Sequence, residues 1–354
     1  MKPSFHQLRI KEIVRETNEA VSISFEIPSE LINQFSYKSG QYLTLKANIN
    51  GEDVRRSYSL CSSPFENTWK VAIKAIENGK FSNYANETLK AGDVLEVMNP
   101  MGTFVLPEII ENKNFVFYAV GSGVTPVLSM LKTVLNDSKT ANVTLFYGNK
   151  GFASIIFREE IEALKNKFMD RLRVVHILSR ESVGNTIQKG RIDKEKSIQL
   201  IDAFMDVSSI DNVFVCGPKD MIFSVKDAFI EKGLNEKHIH FELFNTGDDV
   251  SKIEVKKVEE EISSLVTVIV DGEVLEIPLK SNDVNILDAA LNAGADLPFA
   301  CKGGVCCTCK AKIIEGTAKM DVNYALEADE VEAGYILTCQ SHPTSEKLIV
   351  SFDE

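Results

Sequence analysis

The stretch Ala300-Cys301-Lys302-Gly303-Gly304-Val305-Cys306-Cys307-Thr308-Cys309 decides the fold of the C-terminal part of this 354-residue chain. Three of its cysteines, Cys301, Cys306 and Cys309, are spaced C-x4-C-x2-C, and a fourth, Cys339, follows later in the sequence. This is the plant-type ligand pattern for a [2Fe–2S] cluster, in which four thiolates hold two irons. The two glycines of the stretch suit a loop whose backbone must curl around the cluster and turn N–H groups toward its sulfurs.

Zinc is the other metal that four cysteines bind in proteins. However, C-x4-C-x2-C with a distant fourth cysteine is not a usual zinc spacing. Cys307 lies between two ligands and out of register, so we do not predict it as a ligand. Of the seven cysteines only Cys61 and Cys216 lie outside this region. That distribution favours metal ligation in a reducing compartment over disulfide bonds.

The length of the chain allows two or three domains of ordinary size. No apolar run reaches the ~18 residues that a membrane span needs. The first residues, 1–6, lack the apolar region of a signal peptide. We therefore expect a cytoplasmic protein.

The net charge of −12 argues against a nucleic-acid partner, because phosphate binding needs a basic face. Residues 1–245 balance 30 Lys and Arg against 30 Asp and Glu, whereas residues 265–354 carry 6 and 15. Most of the acidic excess therefore lies on the cluster-bearing segment. It is either an ordinary solvated surface or an acidic face that steers the cluster toward a basic partner.

Residues 1–108 contain short, strand-like runs separated by turn signals such as Asn50-Gly51, a pattern that predicts an antiparallel β-barrel. Within it stands Arg56-Ser57-Tyr58-Ser59, whose alternation puts Arg56 and Tyr58 on one side of a strand. A flavin needs an aromatic ring for stacking, a hydroxyl near its polar edge and a guanidinium for its pyrophosphate. By itself the motif more often marks an ordinary strand with an exposed arginine.

A second segment strengthens the flavin interpretation. Gly79-Lys80-Phe81-Ser82 could open a helix whose free N–H groups face a diphosphate. Ser82 could equally be a helix cap with no ligand role. Ile73 and Lys74 precede this segment and belong to the same candidate site.

Residues 109–245 alternate apolar strands with helical stretches, which predicts a parallel sheet with ligands at the carboxyl ends of its strands. The first strand ends in a G-x-G-x-T-P motif over residues 121–126, whose glycines let the backbone approach a phosphate. The motif lacks the third glycine of the usual dinucleotide fingerprint. The last strand ends in Cys216-Gly217-Pro218, before a helix that carries Met221. A buried, inert cysteine is the alternative for Cys216.

The end of another strand bears on the choice between NADH and NADPH. Ser179 and Arg180 stand where an NAD site would carry a carboxylate for the ribose hydroxyls. A hydroxyl and a guanidinium suit a 2′-phosphate instead, and Lys189 and Arg191 follow nearby. The sequence therefore predicts NADPH, with NADH as the less favoured alternative.

Residues 246–264 are polar and charged and are predicted to be a linker. From residue 265 two alternating runs flank Asp271-Gly272, which indicates a β-hairpin. A short helix is expected over residues 286–293, before the cysteine loop. The pattern predicts an α+β domain over residues 265–354.

In this order, the three motifs R-x-Y-S, G-x-G-x-T-P and C-G-P resemble the ferredoxin–NADP⁺ reductase superfamily. The cysteine loop is similar to that of plant-type ferredoxins, which have a β-grasp fold. The resemblance implies an FAD-binding barrel over residues 1–108 and an NADP(H)-binding α/β domain over residues 109–245. It favours FAD over FMN, and it implies that electrons pass from NADPH through FAD to the cluster and outward.

The candidate functional residues form three groups. Tyr58, Ser59 and Cys216 are the catalytic candidates, with Cys216 expected near the nicotinamide ring. Cys301, Cys306, Cys309 and Cys339 are the metal ligands. The cofactor-binding candidates are Arg56, Tyr58, Ser59, Ile73, Lys74, Lys80, Phe81, Ser82, Gly121, Gly123, Thr125, Pro126, Ser179, Arg180, Cys216, Gly217, Pro218, Met221 and Phe244. For Phe244, core packing is the alternative to a flavin contact.

The cysteine loop, residues 320–326 and residues 337–343 also resemble the reductase components of di-iron oxygenases that epoxidise the aromatic ring of a CoA thioester. The resemblance implies such an oxygenase as the partner, docking at the acidic ferredoxin domain, with neither nucleic acid nor membrane involved. One alternative is the reductase of another oxygenase, desaturase or hydroxylase system. The other, from a different class, is a non-catalytic redox-sensing or electron-carrier module.

Overall fold

The structure, a computed structural model, describes residues 3–181, 185–244 and 261–354. The chain divides into two compact units. The larger contains residues 6–54 and 58–244, and the smaller contains the C-terminal domain together with residues 55–57 and the first residues of the chain. Most of the predicted linker over residues 246–264 lies outside the described residues, and Ser263 and Ser264 already belong to a strand.

The first part of the larger unit is a six-stranded antiparallel sheet with one short helix. Its elements are β1 (Phe5–Thr17), β2 (Ala20–Glu26), β3 (Tyr42–Ile49), β4 (Glu52–Ser59), β5 (Trp69–Lys74), α1 (Lys80–Glu87) and β6 (Val94–Met98). The strand order is β4-β3-β6-β1-β2-β5. A bridge from Leu60, just after β4, to Val71, in β5, joins the two outer strands, so the sheet curls around its apolar core. Asn50 and Gly51 have φ of 54° and 87° and form the predicted hairpin turn.

The second part of the larger unit is a parallel five-stranded sheet with helices. Its elements are β7 (Asn114–Val120), α2 (Val124–Asp137), β8 (Asn142–Asn149), α3 (Arg158–Lys167), β9 (Leu172–Leu178), α4 (Lys194–Phe204), β10 (Asn212–Gly217), α5 (Lys219–Glu231) and β11 (Ile239–Leu243). The strand order is β11-β10-β7-β8-β9, and every pairing is parallel. Since β7 has β8 on one side and β10 on the other, the strand order reverses there. Ligands of such sheets bind at that point, at the carboxyl ends of the strands.

Helix α2 is buried on nearly all sides, including two polar residues, Ser129 and Lys132, which are 0% and 5% exposed. A helix that is buried all round belongs to the interior of a domain. The core that surrounds α2 includes residues of the first sheet, such as Cys61 and Ala72, as well as residues of the second. The core around α2 is therefore shared between the α/β domain and one side of the barrel, which also has a core of its own.

The C-terminal domain has an α+β fold. Its elements are β12 (Ser263–Val270), β13 (Glu273–Lys280), α6 (Ile286–Asn292), β14 (Lys310–Glu315), β15 (Ala318–Met320), α7 (Ala328–Glu332), β16 (Tyr335–Leu337), β17 (Ser341–Pro343) and β18 (Lys347–Ser351). The main sheet has the order β13-β12-β18-β14-β16, with β12 and β18 parallel. Asp271 and Gly272, with φ of 51° and 77°, form the predicted hairpin turn. These features confirm the predicted architecture of barrel, α/β domain and ferredoxin-like domain.

None of the helices in the described ranges is long and apolar enough to cross a membrane.

Candidate functional site

The structure brings the four predicted cluster ligands together. The sulfur of Cys306 lies 3.1 Å from that of Cys301, and the Cys339 thiol is hydrogen-bonded to both Cys301 and Cys309. The backbone N–H of Gly303 donates to the Cys301 sulfur over 3.3 Å. Hydrogen bonds from Cys306 and Cys339 hold the pKa of the Cys301 thiol well below its usual value. This donor set, mostly buried, fits a [2Fe–2S] cluster.

Within the described ranges, no three or more His, Cys, Asp or Glu side chains are placed so that together they could hold a single metal ion. A two-iron cluster does not need such a group, because its four thiolates are shared between two irons. Cys307, the cysteine of the loop that is not a predicted ligand, is also buried, with 7% of its surface exposed.

Neighbouring segments hold the cysteine loop in shape. Gly304 has a φ of +72°, and a Cβ there would lie 2.9 Å from the carbonyl oxygen of Val322. The Tyr324 N–H donates to the Gly304 carbonyl over 3.0 Å, and the Gln340 side chain donates to the Lys302 carbonyl over 2.9 Å. The three segments that resemble the oxygenase reductases are thus neighbours in space.

In the larger unit, the structure places the G-x-G-x-T-P and C-G-P motifs side by side. A Cβ on Gly123 would lie 2.2 Å from the carbonyl oxygen of Cys216, and a Cβ on Gly217 would lie 3.1 Å from the Cβ of Val120. Gly121 has a φ of +56° and nothing within 4 Å of an added Cβ, so its backbone stays open. The two motifs therefore lie together at the carboxyl ends of β7 and β10, where the strand order reverses. Sheets of this kind bind dinucleotides in the crevice at that point, so the position fits a dinucleotide.

The other candidate residues of these two motifs lie in or beside the first turns of α2 and α5. Thr125 is buried and its hydroxyl donates to the Ser122 carbonyl over 3.0 Å. Pro126 is buried in the first turn of α2, and Pro218 and Met221 lie at the start of α5, with Met221 buried. Their contribution to nucleotide binding stays a prediction.

Replacing Gly123 by alanine should force the two motifs apart, since the new methyl group would overlap the Cys216 carbonyl. Overpacking of this kind costs about 1–3 kcal/mol, so we expect a lower melting temperature and a raised KM for the nicotinamide cofactor. Calorimetry and steady-state kinetics measure the two effects. Gly233→Ala is the control: its φ of +93° brings backbone strain, but no atom lies within 4 Å of an added Cβ and the residue is outside both motifs, so the KM for the nicotinamide cofactor should not change. An equal rise in KM for both variants, or an unchanged KM in Gly123→Ala, would contradict the close approach.

The catalytic candidates Ser59 and Cys216 both lie beside Glu242, which is not among the residues predicted from the sequence. The Ser59 hydroxyl donates to Glu242 Oε2 over 2.9 Å. On the neighbouring strand, Glu242 is paired in register with Cys216. Burial raises the pKa of the Glu242 carboxyl to about 8, although the Ser59 hydrogen bond opposes this shift. The fully buried Cys216 thiol has a raised pKa because of burial and the nearby Glu242 carboxylate.

The sequence alone does not single out Glu242, because a lone carboxylate in a short apolar strand is usually an ordinary solvated side chain. The available signal was strand alternation: Phe241 and Leu243 share one face of the strand, so Glu242 lies on the opposite face of the sheet. Ser59, Glu242 and Cys216 together provide a hydroxyl, a carboxyl that is protonated near neutral pH, and an un-ionised thiol.

The flavin candidates of the barrel divide into two groups. Tyr58 is partly exposed, with its ring 5.6 Å from that of Phe81, and Lys80 is exposed and paired with Glu52. Ile73 and Phe81 are 0% and 1% exposed, in the barrel core. For these two, a role in cofactor binding is left to their backbone groups.

The helix that the flavin interpretation required is present. α1 begins at Lys80, and its N-cap, Gly79, provides no side-chain hydrogen bond to the first turn. Ser82 is buried and its hydroxyl accepts from the Ile76 N–H over 3.4 Å, so it does not act as the N-cap. The uncapped N–H groups of this turn fit an anionic group such as a diphosphate.

Three candidates lie outside these groups. Arg56 is exposed, and its guanidinium donates to the Arg55 carbonyl over 2.7 Å. Lys74 pairs with Glu19 at 3.5 Å. Phe244 is partly buried and packs against the shared core that contains Cys216.

Three domain models match the chain in the expected order. An oxidoreductase FAD-binding domain matches residues 7–106, an oxidoreductase NAD-binding domain matches residues 117–227, and a 2Fe-2S iron-sulfur cluster binding domain matches residues 268–344. With relatives that align over almost the whole length, the chain belongs to the family of FAD-dependent NAD(P)H oxidoreductases that carry a C-terminal [2Fe–2S] domain.

The chain is 41% identical over 351 residues to one of the subunits of 1,2-phenylacetyl-CoA epoxidase of Escherichia coli (strain K12), and the match covers 99% of this chain and 98% of that one. It is 35% identical to the 3-ketosteroid-9-alpha-monooxygenase ferredoxin reductase component of Rhodococcus rhodochrous, with coverage of 98% and 96%. Among solved structures, phthalate dioxygenase reductase matches with a TM-score of 0.60 and 23% identity over 98% of both chains, which shows a shared fold.

Proposed function

We propose that this protein is the reductase component of a di-iron oxygenase that epoxidises the ring of phenylacetyl-CoA, and that it draws electrons from NADPH. The observation that supports this proposal best is the end-to-end match to the Escherichia coli epoxidase component. The surroundings of the cysteine loop add support, because Val322, Tyr324 and Gln340 all contact it.

Different residues of the chain would hold the nicotinamide, FAD and the cluster. The strand ends that carry the Gly123 and Cys216 motifs would together hold the nicotinamide. Tyr58, Ser59 and the first turn of α1 would hold FAD, and the four cysteines would hold the cluster. Bound FAD converts the two-electron chemistry of a nicotinamide into the one-electron chemistry of an iron–sulfur cluster. Glu242 holds a proton at one carboxyl oxygen while its other oxygen accepts from Ser59.

The preference for NADPH is supported by the residues at the end of β9. The Arg180 side chain is exposed, and the backbone N–H of Arg180 donates to the Lys150 carbonyl over 2.9 Å. Lys189 forms a bridge to Leu178 and therefore runs beside the same strand end. The Glu181 carboxylate accepts from the backbone N–H of Phe152 over 3.0 Å. Arg180 and Lys189 are thus both near the end of β9, which supports a site for a 2′-phosphate there, and the Glu181 carboxylate already has a backbone partner.

Arg180→Ala is expected to lower kcat/KM for NADPH by about ten- to a hundredfold and to leave that for NADH nearly unchanged. A hydrogen bond to a charged group contributes about 1.5–3 kcal/mol, and only NADPH carries the phosphate. Steady-state kinetics with both nucleotides measure this. Arg173→Ala is the control. Arg173 is an exposed arginine near the start of β9, and its guanidinium donates to the Phe204 carbonyl. An equal loss with both nucleotides would contradict the assignment.

Docking of the oxygenase at the ferredoxin domain is supported by the acidity of that domain. Glu327, Asp329, Glu330 and Glu332 lie on or beside α7, and Lys310 pairs with Glu330 at 3.0 Å. An acidic patch accelerates association with a basic partner, and salt screens that attraction. The rate of electron delivery to the oxygenase should therefore fall as salt rises, whereas the reduction of ferricyanide should change little. A delivery rate independent of salt would exclude electrostatic docking.

Reconstitution tests the whole proposal. Purified protein, NADPH, oxygen and the epoxidase oxygenase components should convert phenylacetyl-CoA to its ring epoxide, followed by mass spectrometry. The Cys339→Ala variant is the matched control and should give no product. Wild-type protein that reduces cytochrome c rapidly but supports no epoxidation would point to the reductase of a different oxygenase.

A further inference from the structure

One buried charge in the larger unit has no part in the site described above. The ammonium group of Lys132, on α2, is 5% exposed and lies between two carboxylates. It is 2.8 Å from Glu66, in the short 3₁₀ turn Pro64–Glu66, and 2.9 Å from Glu160, on α3. Burying a lysine is costly unless its charge is paired and hydrogen-bonded. The side chain is therefore held in one place.

The two carboxylates belong to different parts of the unit. Glu160 lies on a helix of the parallel sheet, as Lys132 does, so that pair fastens α3 to α2. Glu66 lies a few residues after the end of β4, in the barrel, and its carboxylate also accepts from the Ser63 N–H over 2.5 Å. The pair of Lys132 with Glu66 thus crosses from the α/β domain to the barrel.

A second bond follows the same path. The hydroxyl of Ser129, one turn earlier on α2, donates to the Ser62 carbonyl over 2.5 Å, and both residues are buried. Helix α2 is therefore attached twice to the segment Ser62–Glu66. That segment continues directly from Ser59, whose hydroxyl bonds to Glu242.

The other end of α2 reaches the nucleotide crevice. Its first residues, Val124 to Pro126, are the second half of the G-x-G-x-T-P motif. One helix thus connects the nucleotide crevice, at its N-terminus, to the segment Ser62–Glu66 that follows the flavin motif, through bonds from its second and third turns. A helix transmits displacements as a rigid element, so a bond that fixes its position on the barrel also fixes the position of the crevice.

We propose that Lys132 is a positioning residue for hydride transfer. Its bond to Glu66 sets the position of the nicotinamide crevice relative to the flavin motif, whereas its bond to Glu160 serves only the packing of α3. This inference rests on the transfer of electrons from NAD(P)H to FAD. The geometry at stake is small, because misplacement by about 1 Å can cost a hundredfold in rate.

Two variants of matched chemistry separate the roles. Glu66→Gln and Glu160→Gln each neutralise one of the two carboxylates that pair with Lys132, and each keeps the size of the side chain. In Glu66→Gln we expect the first-order rate of flavin reduction by NADPH, in anaerobic stopped-flow, to fall at least tenfold, with little change in the Kd for NADP⁺. In Glu160→Gln this rate should stay within about twofold of wild type.

Amide hydrogen exchange of the protein without nicotinamide is the readout that does not depend on activity. Glu66→Gln should raise exchange in residues 62–70 and in the first turns of α2, and Glu160→Gln should raise it in α3. Ser129→Ala, which removes the second bond to the same segment, should change flavin reduction in the same direction as Glu66→Gln. This variant decides the question if Glu66→Gln fails to fold.

Equal slowing of flavin reduction in Glu66→Gln and Glu160→Gln would overturn the proposal, and so would a wild-type rate in Glu66→Gln or in Ser129→Ala. Lys132→Arg should restore most of the rate that Lys132→Met loses, because a guanidinium can bond to both carboxylates. If the wild-type flavin is not reduced by NADPH at all, the electron-transfer function fails, and that outcome is visible before any variant is compared.

Discussion

Cys339→Ala is expected to lower the rate of NADPH-driven cytochrome c reduction by at least a hundredfold. The rate of NADPH-driven ferricyanide reduction should stay near that of wild type. Cys339 is 2% exposed and hydrogen-bonded to both Cys301 and Cys309, so it joins the two ends of the ligand set. Alanine leaves three thiolates where the cluster needs four. Ferricyanide can take electrons from the flavin directly, whereas cytochrome c is expected to require the cluster.

Cys307→Ala is the matched control for this variant. It removes a buried thiol of the same loop that is not a predicted ligand, so iron, acid-labile sulfide and cytochrome c reduction should all stay at wild-type levels. Iron and sulfide should be lost from Cys339→Ala. A Cys339→Ala protein that keeps its iron and its cytochrome c activity would exclude Cys339 as a ligand.

Glu242→Gln is expected to have the second largest effect and to slow flavin reduction by about a hundredfold or more. A positioned acid or base typically contributes about 10²–10⁴-fold to a rate, and the Glu242 carboxyl is the titratable group bonded to the flavin candidate Ser59. Glutamine keeps the size and the hydrogen bond to Ser59 but carries no exchangeable carboxyl proton. Single-turnover stopped-flow measures the effect.

The pH dependence follows from the raised pKa of Glu242, which burial shifts from 4.5 to about 8. The carboxyl is protonated below that pH, so the wild-type rate should fall as pH rises through about 8, and Glu242→Gln should lack this step. Because the Ser59 hydrogen bond lowers the pKa of Glu242, Ser59→Ala should move the step to higher pH. A wild-type step that persists unchanged in Glu242→Gln would assign it to another group.

The same shift predicts an effect on stability. A carboxyl whose folded-state pKa is above its unfolded value favours folding at low pH, and this contribution is lost as pH rises to the folded pKa. The free energy of unfolding of Glu242→Gln should therefore exceed that of wild type at pH 9. The difference should shrink as pH falls toward 4.5, the unfolded value. Urea denaturation at several pH values checks this.

The parts of the fold that depend on local chemistry could be predicted from the sequence. The Asn50-Gly51 and Asp271-Gly272 turns need left-handed backbone, and both residues of each pair have positive φ. The strand over residues 114–120 and the α/β alternation follow from apolar periodicity. The cluster ligands follow from their spacing, because thiolates in this pattern have one common use.

The parts that depend on distant contacts could not be predicted. Ser59 and Glu242 are 183 positions apart, and only the adjacency of β11 to β10 and to the barrel brings them together. Lys132 looks like an ordinary surface lysine of a helix until α2 is seen to be enclosed. The helical pattern of residues 154–167 predicts a helix that starts at Ser154. α3 begins instead at Arg158, because residues 152–154 form a 3₁₀ turn.

The order of electron flow is the central claim, and anaerobic stopped-flow absorbance with NADPH tests it most directly. Flavin absorbance should bleach first and cluster absorbance afterwards, and in Cys339→Ala flavin bleaching should proceed alone at the wild-type rate. Cluster bleaching that precedes flavin bleaching, or that continues at the wild-type rate after the flavin has been removed, would contradict the account.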